Sequence, residues 1–571
     1  MRARLGVLVA VVVALGCAMA AAPMLVATGC SRAPNQAAES LERPLIATQQ
    51  AKLLASDGAM SDKLSSSVSV SGDTAVVGAY DENYRGAAYV FVRSGATWIQ
   101  QAKLLPSDSA AGDRFGWSVS VSGDTAVVGA YAKNTVTGAA YVFVKSGTTW
   151  TEQAKLLASD GAKGDGLGES VSVAGDTAVV GAYGKNIVTG AAYVFVRSGA
   201  TWTEQATLLP SDGAISDNFG WSASVSGDTA VVGAYEKDHG TGAAYVFVRG
   251  GATWTQQSRL LPGDGAAYDQ FGYSVSISGD TGLVGAYGKN SATGAAYVFV
   301  RSGTSWTQQA KLLASDGGVD DWFGYSVSVS GDTAVVGAWH ANSWAGAAYV
   351  FVGSGAAWSQ PARLLASDGD ASDRFGYSVS ASGDTAVVGA MCAPRDFLTG
   401  CGPGAAYVFV ITKGANGDPC TTAAECQSGF CVDGTCCADS CTTPCMSCAN
   451  ASGTCTSFIV AGQPDPASSP PCVAPSACDG AGNCVAPQTD AGQDSAHPDA
   501  QEDSAAGPDS GGDSQAPADG PPDSALQSDG GQALVIATCG GCAASTGPDG
   551  PRQALAPLVL WFVALPRRRR R

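Results

Sequence analysis

From about residue 64 to residue 410 the chain repeats one pattern of hydrophobic and polar positions, and FGYSVSVSGDTAVVGA (323–338) shows it clearly. Ser and Val alternate over Ser326–Ser330, the period of a strand with one face on a core and one small polar face. Gly331-Asp332 is a two-residue turn of the kind that joins hairpins, and TAVVGA then predicts a second strand. A third, GAAYVFV (Gly346–Val352), is rich in β-branched and aromatic residues. After a Ser-Gly turn comes a fourth of the type TWTQQAKLL. It is marked by Trp98, Trp150, Trp202, Trp254, Trp306 and Trp358, always 52 residues apart.

The Gly-Asp-Thr turn recurs at Gly72, Gly123, Gly175, Gly227, Gly279, Gly331 and Gly383, with one spacing of 51 and five of 52. Seven four-stranded units of this size predict an all-β fold, a seven-bladed β-propeller over residues 45–412. The ends supply a test. The last unit has three strands and then leaves the pattern at ITKGANGDPC, while an orphan copy of the fourth strand, QQAKLL (Gln49–Leu54), precedes the first hairpin. The strands balance if the N-terminal segment completes the last blade, which removes an exposed edge. Small Ser, Ala and Gly side chains then suit the crowded axis, and Tyr, Phe and Trp the wider gaps outside it.

These residues resemble the FG-GAP repeat, the blade of integrin α-subunit propellers and of many bacterial surface proteins. Leu64-Ser65 and Leu167-Gly168 stand where the resemblance expects Phe-Gly. Calcium-binding members carry an Asp-x-Asp-x-Asp-Gly loop between the first two strands. Here that connection is only Ser-Gly-Asp-Thr, too few oxygens for a Ca²⁺ shell, so no metal and no cofactor is expected.

Composition adds the setting. A net charge of −18 and a pI near 4.5 disfavour nucleic acid as a partner. Three histidines in all, His239, His340 and His497, leave little for a His-based site. Residues 1–30 read as a signal peptide: Arg2 and Arg4 precede the apolar run Leu5–Leu15. LVATGC ends at Cys30 and resembles a lipobox whose cysteine is acylated. Cys17 is a second match, and simple cleavage near Ala20–Ala22 is the alternative. Residues 413–486 hold twelve cysteines and read as a disulfide-rich module; the zinc alternative rests on Cys445 and Cys448 alone. Residues 487–535 lack Lys and Arg and read as a disordered acidic stalk. Residues 536–571 combine Cys539 and Cys542, the short apolar run Ala554–Leu565 and five arginines. They resemble the MYXO-CTERM sorting tail of myxobacterial surface proteins, with an uncleaved tail held by its arginines as the alternative.

In an antiparallel blade the two tight turns share one rim, and the longer connections, from second to third strand and from blade to blade, share the other. Binding residues are expected on that second rim. Each blade-to-blade loop carries two aspartates, as in Asp57/Asp62 and Asp108/Asp113. Their sevenfold recurrence favours a turn-capping role over cation collection. Departures from the repeat are better functional signals. Trp339, His340 and Trp344 replace Tyr and small residues in the sixth unit and are candidate ligand-binding residues, with packing against neighbouring loops as the alternative. The seventh unit carries an insertion in which Cys392 and Cys401 are placed to form a disulfide.

No nucleophile motif, phosphate loop or catalytic dyad stands out. The sequence therefore favours an exported, surface-anchored or released head, expected to be monomeric, that binds an extracellular protein or polysaccharide without catalysis. A lipid or C-terminal anchor would hold it to the outer membrane or cell surface. A secreted polysaccharide- or peptide-cleaving enzyme using Asp238, His239 and Asp396 is the second reading, and a structural envelope component the third.

Overall fold

The computed structural model describes residues 46–354, 356–393, 401–415, 420 and 423–427, together with two-residue strands at 431–432, 435–436, 446–447, 457–458, 477–478 and 484–485. Among them no helix is long and apolar enough to cross a membrane. Cys30, Cys445, Cys448, Cys539, Cys542 and Asp396, and with them the signal, stalk and tail readings, lie outside the described residues.

Seven four-stranded antiparallel sheets form the propeller. Blade one runs through Leu64–Ser71, Thr74–Ala79, Ala87–Ser94 and Thr97–Leu104. Blade seven is built from Phe375–Ser382, Thr385–Ala390 and Ala405–Thr412. Its outer strand is Ile46–Leu53, paired antiparallel to the third from Ile46↔Thr412 to Leu53↔Ala406. The orphan strand closes the ring.

The alternating serines have a specific use. A serine hydroxyl on each innermost strand accepts a hydrogen bond from a backbone N–H of the next blade: Ser69 from Val121, Ser120 from Val173, Ser172 from Val225, Ser224 from Ile277, Ser276 from Val329 and Ser328 from Ala381. Ser380 accepts from Val70 at 3.0 Å and completes the circle. Backbone groups that would be unpaired sheet edges at the axis are thus satisfied between blades. Close approach there requires glycine. A Cβ on Gly181 would sit 1.9 Å from the Gly220 carbonyl oxygen of the next blade.

Between blades, the Phe of each Phe-Gly pair bridges the glycine that opens the preceding blade's third strand, as in Phe115 with Gly86. Its ring is buried edge-on against Tyr141, 5.6 Å between centroids. Leu64 and Leu167 make the same bridges, to Gly404 and Gly138, and are equally buried, so these two departures keep the latch.

Beyond the ring, Cys420–Cys431 and Cys426–Cys436 form disulfides in the Cys-rich region. Cys420, Cys426 and Cys436 cluster closely, but their sulfurs are engaged in those bonds rather than available as metal ligands. The first turn of this region is tied to the tight-turn rim by Lys413 to Asp332 at 2.5 Å and by Ser359 Oγ donating to Glu425 at 2.6 Å.

Candidate ligand-binding rim

The repeated aspartates are structural. The first of each pair accepts a hydrogen bond from the third-strand tyrosine: Tyr141 Oη donates to Asp108 at 2.7 Å, and Tyr193, Tyr245 and Tyr297 repeat the bond. A fourth-strand cation reaches the same carboxylate, as Lys103 reaches Asp57 at 2.6 Å, and holds it below the usual carboxylate range. In blade seven this cation is Lys52, from the closing strand, on Asp368 at 2.6 Å, with the same effect. The second aspartate accepts the backbone N–H three residues earlier, as Asp113 does from Ala110 at 2.7 Å. The turn aspartates of four blades also meet arginines, Asp73–Arg93 among them.

A lysine on the connection between second and third strands locks this arrangement in blades two to five. Lys133, Lys185, Lys237 and Lys289 lie 2.7–3.0 Å from Asp113, Asp165, Asp217 and Asp269, with both partners buried. The lock sits beside strained backbone: consecutive non-glycine residues after each lysine, such as Asn186, Ile187 and Val188, have φ of 51–65°. Such conformations cost about 1–3 kcal/mol each and persist when the surroundings impose them. Blades six and seven carry Ala341 and Ala393 at the lysine position.

Aromatic rings gather where this rim meets the axis. The residues after each Phe-Gly, Trp117, Trp221, Tyr273, Tyr325 and Tyr377, pack with the residues closing each second strand, Tyr80, Tyr131, Tyr183, Tyr235, Tyr287 and Trp339. Neighbouring centroids in this collar include pairs 4.7–5.8 Å apart. Burial pushes the hydroxyls of Tyr273, Tyr325 and Tyr377 well above their ordinary pKa.

The sixth blade disturbs the collar. Trp339 is 7% exposed and fills it, the packing alternative for this residue. Trp344 is 43% exposed. His340 lies between them in contact, with its ring 4.7 Å from Trp344, and Nδ1 hydrogen-bonds the Asp320 carbonyl. Trp322, which nothing in the local sequence pattern singles out, stacks on His340 at 4.9 Å and 11°. Arg374, likewise unmarked, places its guanidinium 5.1 Å from the Trp339 ring and 5.9 Å from Trp344. Next to it, Cys392 and Cys401 are bonded as expected, and Gly402 and Pro403 of that connection accept from Ser61 and Leu64 on the same rim. Asp238 and His239 are exposed on the left-handed turn of blade four, with Asp238 paired to Arg259 at 2.6 Å.

A family model for the FG-GAP repeat matches residues 47–91, 98–143, 150–195, 202–247, 254–299, 306–351 and 358–409. The chain belongs to the FG-GAP repeat family. Each match begins on a fourth strand and ends on a third, the same phase in which the ring closes. No curated protein matches the chain.

One collar position of this FG-GAP ring is acidic. Glu169 occupies the place of Trp117 and Trp221 in blade three, is 6% exposed, and accepts from Trp117 Nε1 at 3.0 Å. Burial pushes its pKa up to about 8. The folded state therefore holds the proton more tightly than the unfolded chain, whose glutamates ionise near pH 4.3. Its share of stability is complete below that value and is lost as pH rises to about 8. Glu169→Gln keeps the acceptor for Trp117. Urea unfolding should show the wild type losing stability relative to this variant across that window, and parallel profiles would contradict the assignment.

Proposed function

We propose that this FG-GAP protein is exported, anchored at the cell surface, and binds an extracellular protein or polysaccharide through the loop rim of blades six and seven, by recognition rather than catalysis. The observation that carries the reading is a localised break in symmetry. Five blades spend their rim on ion pairs and turn caps, whereas blade six presents Trp322, His340 and Trp344 beside the disulfide-bonded connection of blade seven. A scaffold repeated seven times does not need these residues. Apolar faces on a polar rim are the common mark of a binding surface. The apolar N-terminus led by Arg2 and Arg4, the acidic segment 487–535 and the Cys-containing tail support export and anchoring.

The test is to apply the full chain to an array of extracellular polysaccharides and envelope proteins. Trp344→Ala should reduce retention of the captured partner about tenfold, typical of an interface anchor, with little change in melting temperature. Trp339→Ala should instead cost about 3–5 kcal/mol of stability, as expected for emptying a buried aromatic site. Absence of any capture, or release of cleaved products, would overturn the reading.

A further inference from the structure

Seven residues precede the Phe-Gly positions, Lys63, Arg114, Gly166, Asn218, Gln270, Trp322 and Arg374, and Arg114, Trp322 and Arg374 lie against collar rings. Three of the seven are cations, contributed by the adjacent blades seven, one and two. Their counter-ions would come from one position on the preceding blade. Blade one supplies Asp81, which pairs with Arg114. Blade six supplies His340 at that position and blade seven supplies Cys392, so neither Arg374 nor Lys63 meets a carboxylate within ion-pairing distance among the described residues.

The two cations are close enough to disfavour each other. Burial lowers the pKa of Lys63, the charge of Arg374 lowers it further, and the more weakly acting Asp81 carboxylate offsets part of this. Two buried donors also lack acceptors there, Arg374 Nε and the indole N–H of Trp339, which is more than nine-tenths buried. Unmet buried donors of this kind are unfavourable and gain from a nearby acceptor. Among the described residues, cations with no ion-pair partner and unmet donors meet at one place, beside the exposed ring of Trp344.

We infer that this sector is an anion subsite for a uronic-acid residue of an acidic polysaccharide. The sugar carboxylate accepts from the Arg374 guanidinium, with Lys63 adding charge, and the pyranose lies against Trp344. Arginine suits a carboxylate because its planar fork matches the two oxygens. The stacking surface favours a sugar over an acidic peptide, whose carboxylates need no such face. The chain's overall charge of −18 does not prevent this at physiological salt, where screening confines repulsion to about 8 Å.

This assignment rests on reading the rim as a binding surface, and the test separates the two. Full-length protein is titrated with a tri-galacturonate, with a neutral trisaccharide, and with an oligo-glutamate peptide. Tri-galacturonate should bind best, more weakly as salt rises. Arg374→Gln should weaken it tenfold or more and weaken neutral-sugar binding far less. Arg374→Lys keeps the charge but not the fork and should fall between, which also covers a Gln variant that folds poorly. Trp344→Ala should weaken both sugars. No binding of tri-galacturonate, binding indifferent to Arg374→Gln, or equal binding of the peptide would overturn the subsite. Trp344-dependent capture of some other partner on the array would leave the rim reading standing without it.

Discussion

Deleting residues 46–54 from the full chain is expected to lower its melting temperature by about 10 °C or more. The strand supplies the outer edge of blade seven, pairing from Ile46 to Leu53. Leu53 is fully buried, worth about 2 kcal/mol by transfer, and each lost ladder bond adds about 1 kcal/mol. Further hydrogen bonds leave the sheet: Trp98 Nε1 donates to Gln50 at 2.9 Å, Gln49 Nε2 to Ser367 at 3.0 Å, and the Ser367 N–H back to Gln49 Oε1 at 3.0 Å. Lys52 leaves Asp368 without its cation. A net loss of about 5 kcal/mol corresponds to roughly 10 °C for a large domain. Hydrogen exchange should rise first along Ala405–Thr412, whose outer edge is then bare. An unchanged melting temperature would mean that the ring does not depend on this strand.

Almost all of the ring was legible from the sequence, because its information lies in the repeat itself. Strand order, blade number and the closing segment follow from where copies of QQAKLL stand, and the Cys392–Cys401 bond follows from an insertion with a cysteine near each end. The role of the paired aspartates was half legible. The backbone cap of the second Asp is local, three residues away, whereas the tyrosine and lysine that hold the first lie in other strands, 32 to 47 residues on.

What stayed hidden was which variable columns face the axis. Glu169 follows Leu167-Gly168, a departure visible in the sequence, yet its burial in an aromatic collar depends on inner strands of neighbouring blades converging. Arg374 and Trp322 sit in a highly varied column of the repeat, with six residue types over seven units. Aligned copies would have flagged them, but their approach to Trp339 and His340 comes from packing between blades. Trp339 is the reverse case: an unusual residue at a loop is core, because that loop begins where the second strand still faces the axis.

The second large effect concerns the buried lysines. Lys237→Met should destabilise the protein by about 3–5 kcal/mol, since Asp217 would remain a buried carboxylate without its cation. The loss should be partly recovered in Lys237→Met combined with Asp217→Asn, which keeps an acceptor for the Ala214 N–H while removing the charge. Blade six tolerates Ala341 at the equivalent place, where Asp321 is only half-buried. Urea unfolding of the three proteins measures the coupling directly. A single-variant loss below about 1 kcal/mol would show that the lock is incidental and that the left-handed turns hold themselves.

The claim that function lies where the repeat breaks is tested most directly by comparing equivalent positions in two blades. Trp344 and Val188 occupy the same place on the left-handed turns of blades six and three. Trp344→Ala and Val188→Ala are made in the full chain, and partner capture is measured for both at matched folded concentration. The account predicts that capture falls about tenfold for Trp344→Ala and is unchanged for Val188→Ala. Equal effects of the two substitutions, or capture indifferent to both, would contradict it.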